Sequence, residues 1–358
     1  MAAYAVKPQV KPQVKPYLTP PLRPYQRQAA DFLFANERAM MLAPVGAGKT
    51  ATALTAMAET VDVRWLVVAP LRVATSVWPA EAATWAPTLR VRVAVGTPTQ
   101  RLAALMDPDA DVVVINYDNL QWLAQYDLSG FGGVIFDELT KLKNPSGKRF
   151  KAFYKVLDRF PVRWGLTGSF TSNGLEDVFG QCKVVDETLL GRAKGAFLQQ
   201  YFVCINREFG DWQPRRGALE QVMARIRPAT FVLEPGVYKD KLPPCHVVEM
   251  RCDMPDREPY EKMKRDFVTT LKGTEITALS AAAVTSKLQQ MAGGWVYDTV
   301  TEAMDTAGVF KSYKFAHWFS SHRFDMLDEI LEGNQQDNTL IVYNFVEELA
   351  QLKTRYPH

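Results

Sequence analysis

The chain has 358 residues, 47% hydrophobic and 23% charged; this length fits two compact α/β domains of about 150 residues each and excludes both a single small binding module and wholesale disorder. The net charge of +3 says nothing about nucleic acid, because residues 1–24 hold Lys7, Lys11, Lys15 and Arg23 without an acid and leave −1 for the rest; only local patches bear on such a partner. No apolar run approaches the roughly 18 residues of a bilayer span, and Met1–Pro24 is Lys/Pro-rich where a signal peptide would be apolar, which predicts a cytoplasmic protein with no membrane partner.

Chain order begins with Lys-Pro-Gln-Val at 7–10 and again at 11–14. Proline fixes φ and removes a backbone donor, so residues 1–20 are predicted to be a flexible, extended tail. From Tyr25 onward, short β-rich runs alternate with helical patterns. The runs are Ala39–Ala43, Trp65–Ala69, Val91–Val95, Val112–Ile115, Val134–Phe136 and Arg163–Leu166, and the helices between them include Thr50–Glu59, Ser76–Trp85 and Ser146–Leu157. Near-continuous apolar strands separated by helices predict a parallel sheet covered on both faces, an α/β fold whose ligands bind at the carboxyl ends of the strands. A second domain is expected from Lys241, with a strand His246–Arg251, a helix from Asp256 to about Leu271, a helical and irregular stretch over 275–310, a helix around Phe324–Leu331, a strand Thr339–Phe345 and a last helix from Val346. The domain boundaries are thus 1–20, 21–240 and 241–358. Cys182, Cys204, Cys245 and Cys252 form no CxxC pair and have no histidine at zinc-ligand spacing, so they read as reduced thiols.

The strongest chemical signal is Ala43-Pro44-Val45-Gly46-Ala47-Gly48-Lys49-Thr50, between an apolar strand and a helix. Glycines let backbone wrap a phosphate without Cβ clashes, loop amides and the helix start supply positive potential, Lys49 reaches the β/γ-phosphates and Thr50 ligates Mg²⁺. ATP and Mg²⁺ are therefore the expected cofactors. The second signal is Val134-Ile135-Phe136-Asp137-Glu138, a strand ending in two carboxylates: Asp137 for the metal, Glu138 to orient and deprotonate the attacking water.

Pro21-Leu22-Arg23-Pro24-Tyr25-Gln26 ahead of the first helix and Trp164-Gly165-Leu166-Thr167-Gly168-Ser169 after the carboxylates complete an ordered set. Together these motifs resemble the superfamily-two helicases. Within them, Leu22–Gln26, Val67-Val68-Ala69-Pro70 with Trp78 and Trp85 downstream, Lys143-Asn144 and Asn173-Gly174-Leu175-Glu176-Asp177 resemble the Swi/Snf-like branch, and Asp137–Lys148 with Thr167–Gly180 is similar to compact bacteriophage-encoded helicases. The resemblance implies a RecA-like parallel sheet with helices on both faces, followed by a second, partial RecA-like lobe with helical insertions. It also implies a DNA-dependent ATPase moving on double-stranded DNA in a bacterial host cell. By the same resemblance Gln26 reads the adenine edge with Arg23 nearby, Gly46, Ala47, Gly48, Lys49 and Thr50 bind nucleotide, and Lys49, Asp137 and Glu138 are catalytic. Thr167, Gly168 and Ser169 couple nucleotide state to DNA grip, and Pro70, Arg72, Asn116, Tyr117, Thr171 and Asn173 contact DNA; Lys141, Lys143 and Asn144, after the acidic pair, are further candidate DNA contacts. The box Asp137-Glu138-Leu139-Thr140 keeps both carboxylates but departs from the family's usual Ala-His at its third and fourth positions.

Between Lys141 and Lys155 stand six cations (Lys141, Lys143, Lys148, Arg149, Lys151, Lys155) and no acid, a local field that attracts phosphates. Phe202–Gly217, with Arg207, Trp212, Arg215 and Arg216, is either a nucleic-acid contact or a packed linker; Tyr313, Phe315, Trp318 and Phe319 read as packing. After Leu340–Phe345 no Gln-x-x-x-Arg-x-x-Arg pattern occurs and the only arginine is Arg355. The resemblance then implies an incomplete second lobe, weak hydrolysis in isolation, and a protein partner or further C-terminal segment that completes the lobe. Two other functions stay open: a nucleotide-gated, non-catalytic DNA-binding or regulatory protein, and an RNA helicase, against which Leu166–Ser169 and Lys143-Asn144 weigh.

Overall fold

The computed structural model describes residues 20–206, 211–234, 237, 246–271, 274–278, 280–304, 310–334 and 338–357. The chain divides into two compact units, Met1–Pro244 and Cys245–His358; the expected tail 1–20 lies almost wholly outside the described residues.

The first unit opens α1 (Pro24–Ala35), β1 (Arg38–Leu42), α2 (Lys49–Glu59), β2 (Trp65–Ala69), α3 (Trp78–Trp85), β3 (Val91–Val93), α4 (Pro98–Met106) and β4 (Val112–Asn116). It continues α5 (Leu120–Leu123), β5 (Gly133–Asp137), α6 (Lys148–Tyr154), β6 (Val162–Thr167), α7 (Asp177–Val185) and α8 (Lys194–Tyr201). A two-stranded antiparallel ribbon, β7 (Phe202–Asn206) with β8 (Asp211–Pro214), precedes α9 (Ala218–Ile226) and β9 (Thr230–Val232). Seven strands form one parallel sheet in the order β3-β4-β2-β5-β6-β1-β9.

Alternation of side chains explains why these strands are apolar throughout. In β2, Leu66 and Val68 enter a core with α4–α9, while Trp65, Val67 and Ala69 enter one with α1–α3. In β5, Val134 and Phe136 face the first and Ile135 the second. Each fully buried side chain of this size contributes roughly 1.5–3 kcal/mol, so neither face tolerates a polar residue without a partner. The order places β6 between β1 and β5, with Leu42 opposite Thr167 and Asp137 opposite Leu166. Three chain segments carrying the predicted motifs therefore leave the sheet side by side at its carboxyl edge.

The second unit holds α10 (Glu258–Asp266), the antiparallel pair β10 (Val268–Leu271) and β11 (Thr274–Thr277), α11 (Ala281–Ala292), the longer antiparallel pair β12 (Trp295–Met304) and β13 (Phe310–Trp318), α12 (His322–Gly333) and α13 (Val346–Arg355). Met263, Leu271, Ile276, Val284, Met291 and Val296 form its core. Several sequence expectations change here. The helix expected to reach about Leu271 stops at Asp266, because Phe267 turns left-handed (φ 62) and a strand begins. The stretch 275–310 contains a helix but also the first strand of a ribbon. The expected strands His246–Arg251 and Thr339–Phe345 have no ladder partner among the described residues, and Val247, Val248, Leu340 and Val342 are 78–90% exposed; apolar, β-branched composition without a neighbour makes no strand. No parallel pairing occurs among the described residues of this unit. Phe319 packs on its core and Trp318 on Trp295 and Phe324, but Phe315 is exposed.

Candidate nucleotide site and basic face

The loop from β1 to α2 is shaped by two left-handed glycines, Gly46 (φ 82) and Gly48 (φ 78). Gly48 caps α2 without any side-chain cap, and no acid occupies the first turn, so the amides and positive end of the helix remain for an anion. The Lys49 ammonium donates to the carbonyls of Ala43 (3.0 Å) and Pro44 (3.1 Å). Burial lowers its pKa from 10.5, against the fields of Asp137 and Glu138, which raise it. Thr50 follows in the first turn of α2, half-buried.

Helix α1 braces this loop. The Gln26 amide accepts from the Arg23 backbone N–H (2.8 Å) and donates to the Ala47 carbonyl (3.1 Å). Arg23 caps α1 and its guanidinium donates to the Tyr25 hydroxyl (3.4 Å). The position expected to read adenine thus has its carboxamide engaged by the protein on both ends.

At the end of β5, Asp137 is buried and accepts from the Trp78 indole Nε1–H at 2.8 Å. Burial raises its pKa, opposed by the Trp78 bond and Lys49 and reinforced by Glu138. Glu138 adopts φ 69, and its carboxylate accepts from the Thr140 hydroxyl. The buried Tyr117 hydroxyl donates to the carbonyls of Asp137 (2.9 Å) and Glu138 (3.3 Å). Burial, with the two carboxylates adding, holds this phenol well above its ordinary pKa, so it stays a donor. Between the two loops, the Thr167 carbonyl accepts from Ala43 N–H (3.0 Å), its hydroxyl donates to the Ser169 carbonyl (2.8 Å), and Gly168 follows directly.

The predicted DNA contacts separate into two groups. Arg72, Lys141, Asn144, Thr171 and Asn173 are exposed and Pro70 half-exposed; they follow β2, β5 and β6, adjacent strands at the same carboxyl edge. Asn116 and Tyr117 are buried: Asn116 is tied to Asn119, and Tyr117 supports the acidic pair. Their side chains serve the interior and are corrected from surface contacts to supports. Lys143 pairs with Asp177 at 3.0 Å, and the same Asp177 oxygen accepts from the Ser172 hydroxyl (3.1 Å) and Asn173 N–H (3.0 Å). One carboxylate therefore joins the segments after β5 and β6. Of the basic run, Lys141, Lys148, Lys151 and Lys155 are exposed, while Arg149, also exposed, pairs with Asp118.

Sequence reasoning did not assign Trp78, Asp177 or the buried Gln181, whose amide donates to the Phe170 carbonyl (2.8 Å). Trp78 and Asp177 stood within recognised motifs, but only the fold shows what they touch. In the Arg/Trp-rich stretch, Trp212 packs on the core, Arg215 donates to the Phe202 (3.0 Å) and Gln199 (3.1 Å) carbonyls, Arg216 is exposed, and Arg207 lies outside the described residues. A cleft of about 320 Å³ in the second unit, lined by Met250, Phe324, Ile330, Ile341 and Val342 among others, contains none of the predicted residues.

A glycine-shaped loop, an acidic pair with Asp137 buried and a threonine-glycine-serine turn on three neighbouring strands define a RecA-like α/β fold. The chain belongs to the SNF2-related domain family, whose match spans residues 25–292. It is 32% identical over 357 residues to the putative protein p41 of Acyrthosiphon pisum secondary endosymbiont phage 1, covering 93% of this chain and 74% of the relative. Among solved structures it resembles the Sulfolobus solfataricus SWI2/SNF2 ATPase core in complex with dsDNA, with a TM-score of 0.52, 18% identity, and coverage of 96% of this chain and 72% of the other. No helix among the described residues is long and apolar enough to cross a membrane.

Proposed function

We infer that this chain is a DNA-dependent ATPase of the Swi/Snf type that uses Mg·ATP to move on double-stranded DNA. The observation that carries the reading is the convergence at one sheet edge of Lys49 with Asp137 and Glu138, whose charges act on one another. The Thr50 hydroxyl and Asp137 carboxylate are hard oxygen donors suited to Mg²⁺, and two protein ligands match an ion that keeps waters and substrate phosphates as its remaining ligands. Among the described residues no cluster of three or more acidic, histidine or cysteine groups exists to hold a metal without substrate. When bound, Mg²⁺ offsets charge on the transferring phosphoryl group.

The chain's own residues do the rest. The loop amides and Lys49 bind the phosphates, and Glu138, held by Thr140, takes the proton of the attacking water. Thr167–Ser169, bonded to the phosphate loop through Ala43, moves when that loop moves and carries the change to Thr171 and Asn173. DNA is supported by the exposed cations from Lys141 to Lys155 and by the SWI2/SNF2 core in complex with dsDNA that the fold resembles.

The test is steady-state ATPase with a panel of single- and double-stranded DNA and RNA. Stimulation by duplex DNA, abolished in Lys49→Ala, is the expected result. Stimulation by RNA alone would make the protein an RNA helicase, and nucleotide-dependent DNA binding without turnover would make it a nucleotide-gated binding protein.

A further inference from the structure

Strand β2 does not pass straight into α3. Between them Val73–Val77 forms a five-residue π-turn closed by the Trp78 backbone N–H on the Val73 carbonyl. A π-turn inserts an extra residue per ring and rotates the side chains that follow it, and such insertions recur at functional sites. Here the residue delivered is Trp78, fully buried in the core that α3 shares with α2, with its indole Nε1–H on Asp137 Oδ2 at 2.8 Å. An indole nitrogen donates once and accepts nothing, so its N–H is spent on Oδ2 and the bond restrains the carboxylate about its side-chain torsions. Burial of an aromatic needs no such bond; a leucine or phenylalanine would fill the same core without addressing the acid.

We propose that Trp78 is a positioning residue that holds Asp137 in the single rotamer able to ligate Mg²⁺ beside Thr50. The proposal rests on the reading of Asp137 as a magnesium ligand. The Tyr117 hydroxyl, in the turn that follows β4, bonds the backbone carbonyl of the same residue, so side chain and main chain of Asp137 are held from two different elements.

The experiment is a Mg²⁺ titration of the full chain loaded with a fluorescent ADP, in the parent, in Trp78→Phe, and in a protein whose Trp78 indole is replaced by benzothiophene through an amber codon. The last change turns N–H into S and keeps the shape, so it folds even where Trp78→Phe does not. Both substitutions are expected to weaken Mg²⁺ about tenfold, the scale of one hydrogen bond to a charged group, while metal-free nucleotide affinity changes less than about twofold. Unchanged Mg²⁺ affinity in the benzothiophene protein overturns the proposal, since a purely packing role is preserved there. Failure of the underlying site reading looks different: Asp137→Asn would then retain the parental Mg²⁺ dependence of nucleotide binding.

Discussion

Gln26 and Ala47 are joined across 21 residues of sequence by a 3.1 Å hydrogen bond from amide to carbonyl, which ties the first helix to the phosphate loop. The bond passes so close to Gly48 that a Cβ there would lie 2.1 Å from Gln26 Nε2, on a backbone already at φ +78. Gly48→Ala is therefore expected to distort the loop and raise the dissociation constant for ATP analogues at least about tenfold, since a left-handed residue with a Cβ costs about 1–2 kcal/mol before any clash. Adding Gln26→Ala to Gly48→Ala should recover part of the loss by removing the clash. Isothermal titration on the two single variants and the double variant checks this, and simple additivity would refute the brace.

Alkaline pH tests Lys49. Only the ammonium form attracts phosphate, and burial lowers its pKa from 10.5 in the free protein. Affinity is complete while pH stays below the lowered value and is lost as pH rises through it. ATP affinity followed from pH 7 upward should accordingly fall with a midpoint below 10.5. A profile flat to that pH would contradict the burial of the group.

Thr140 donates to the Glu138 carboxylate and occupies the position where the resemblance leads one to expect histidine. Thr140→Val keeps the shape and deletes the hydroxyl. Turnover at saturating ATP is expected to fall about tenfold, as for a misplaced general base, with nucleotide affinity unchanged. Single-turnover hydrolysis measures it; an equal loss in affinity would place Thr140 in binding instead.

The four exposed lysines of the basic run and the paired Arg149 predict different salt responses. Each phosphate contact adds about 0.9 to the slope of log affinity against log salt. Lys151→Ala should reduce that slope for duplex DNA by about one contact, and Arg149→Ala by less, because Asp118 already neutralises it. Equal slopes for the two variants and the parent would remove this helix from the DNA face.

Strands such as Val112–Asn116 were legible because both their faces are buried, which leaves an unbroken apolar run. The motifs were legible because glycine spacing and paired carboxylates are read locally. Trp78 to Asp137 and Lys143 to Asp177 were not, since each bond spans dozens of residues and depends on strand order. Asn116 and Tyr117 show the opposite error: position after a strand placed them correctly, but which way the side chains turn was decided by the space beneath the acidic pair. Thr339–Phe345 reads like Val112–Asn116 and lacks only a neighbour among the described residues, which no local pattern reports.

Glu138 sits at φ 69, a conformation that costs a side-chain-bearing residue about 1–2 kcal/mol, and Tyr117 holds the carbonyls on either side of it. Left to itself this turn would relax, so the acidic pair keeps its geometry only as long as its surroundings insist on it. The activity of such a site is a more sensitive thermometer than the fold. On warming, hydrolysis is expected to fade while the sheet is still intact, and to return on cooling, if this bent link is the part that loosens first; activity and far-UV circular dichroism followed over the same temperatures check this.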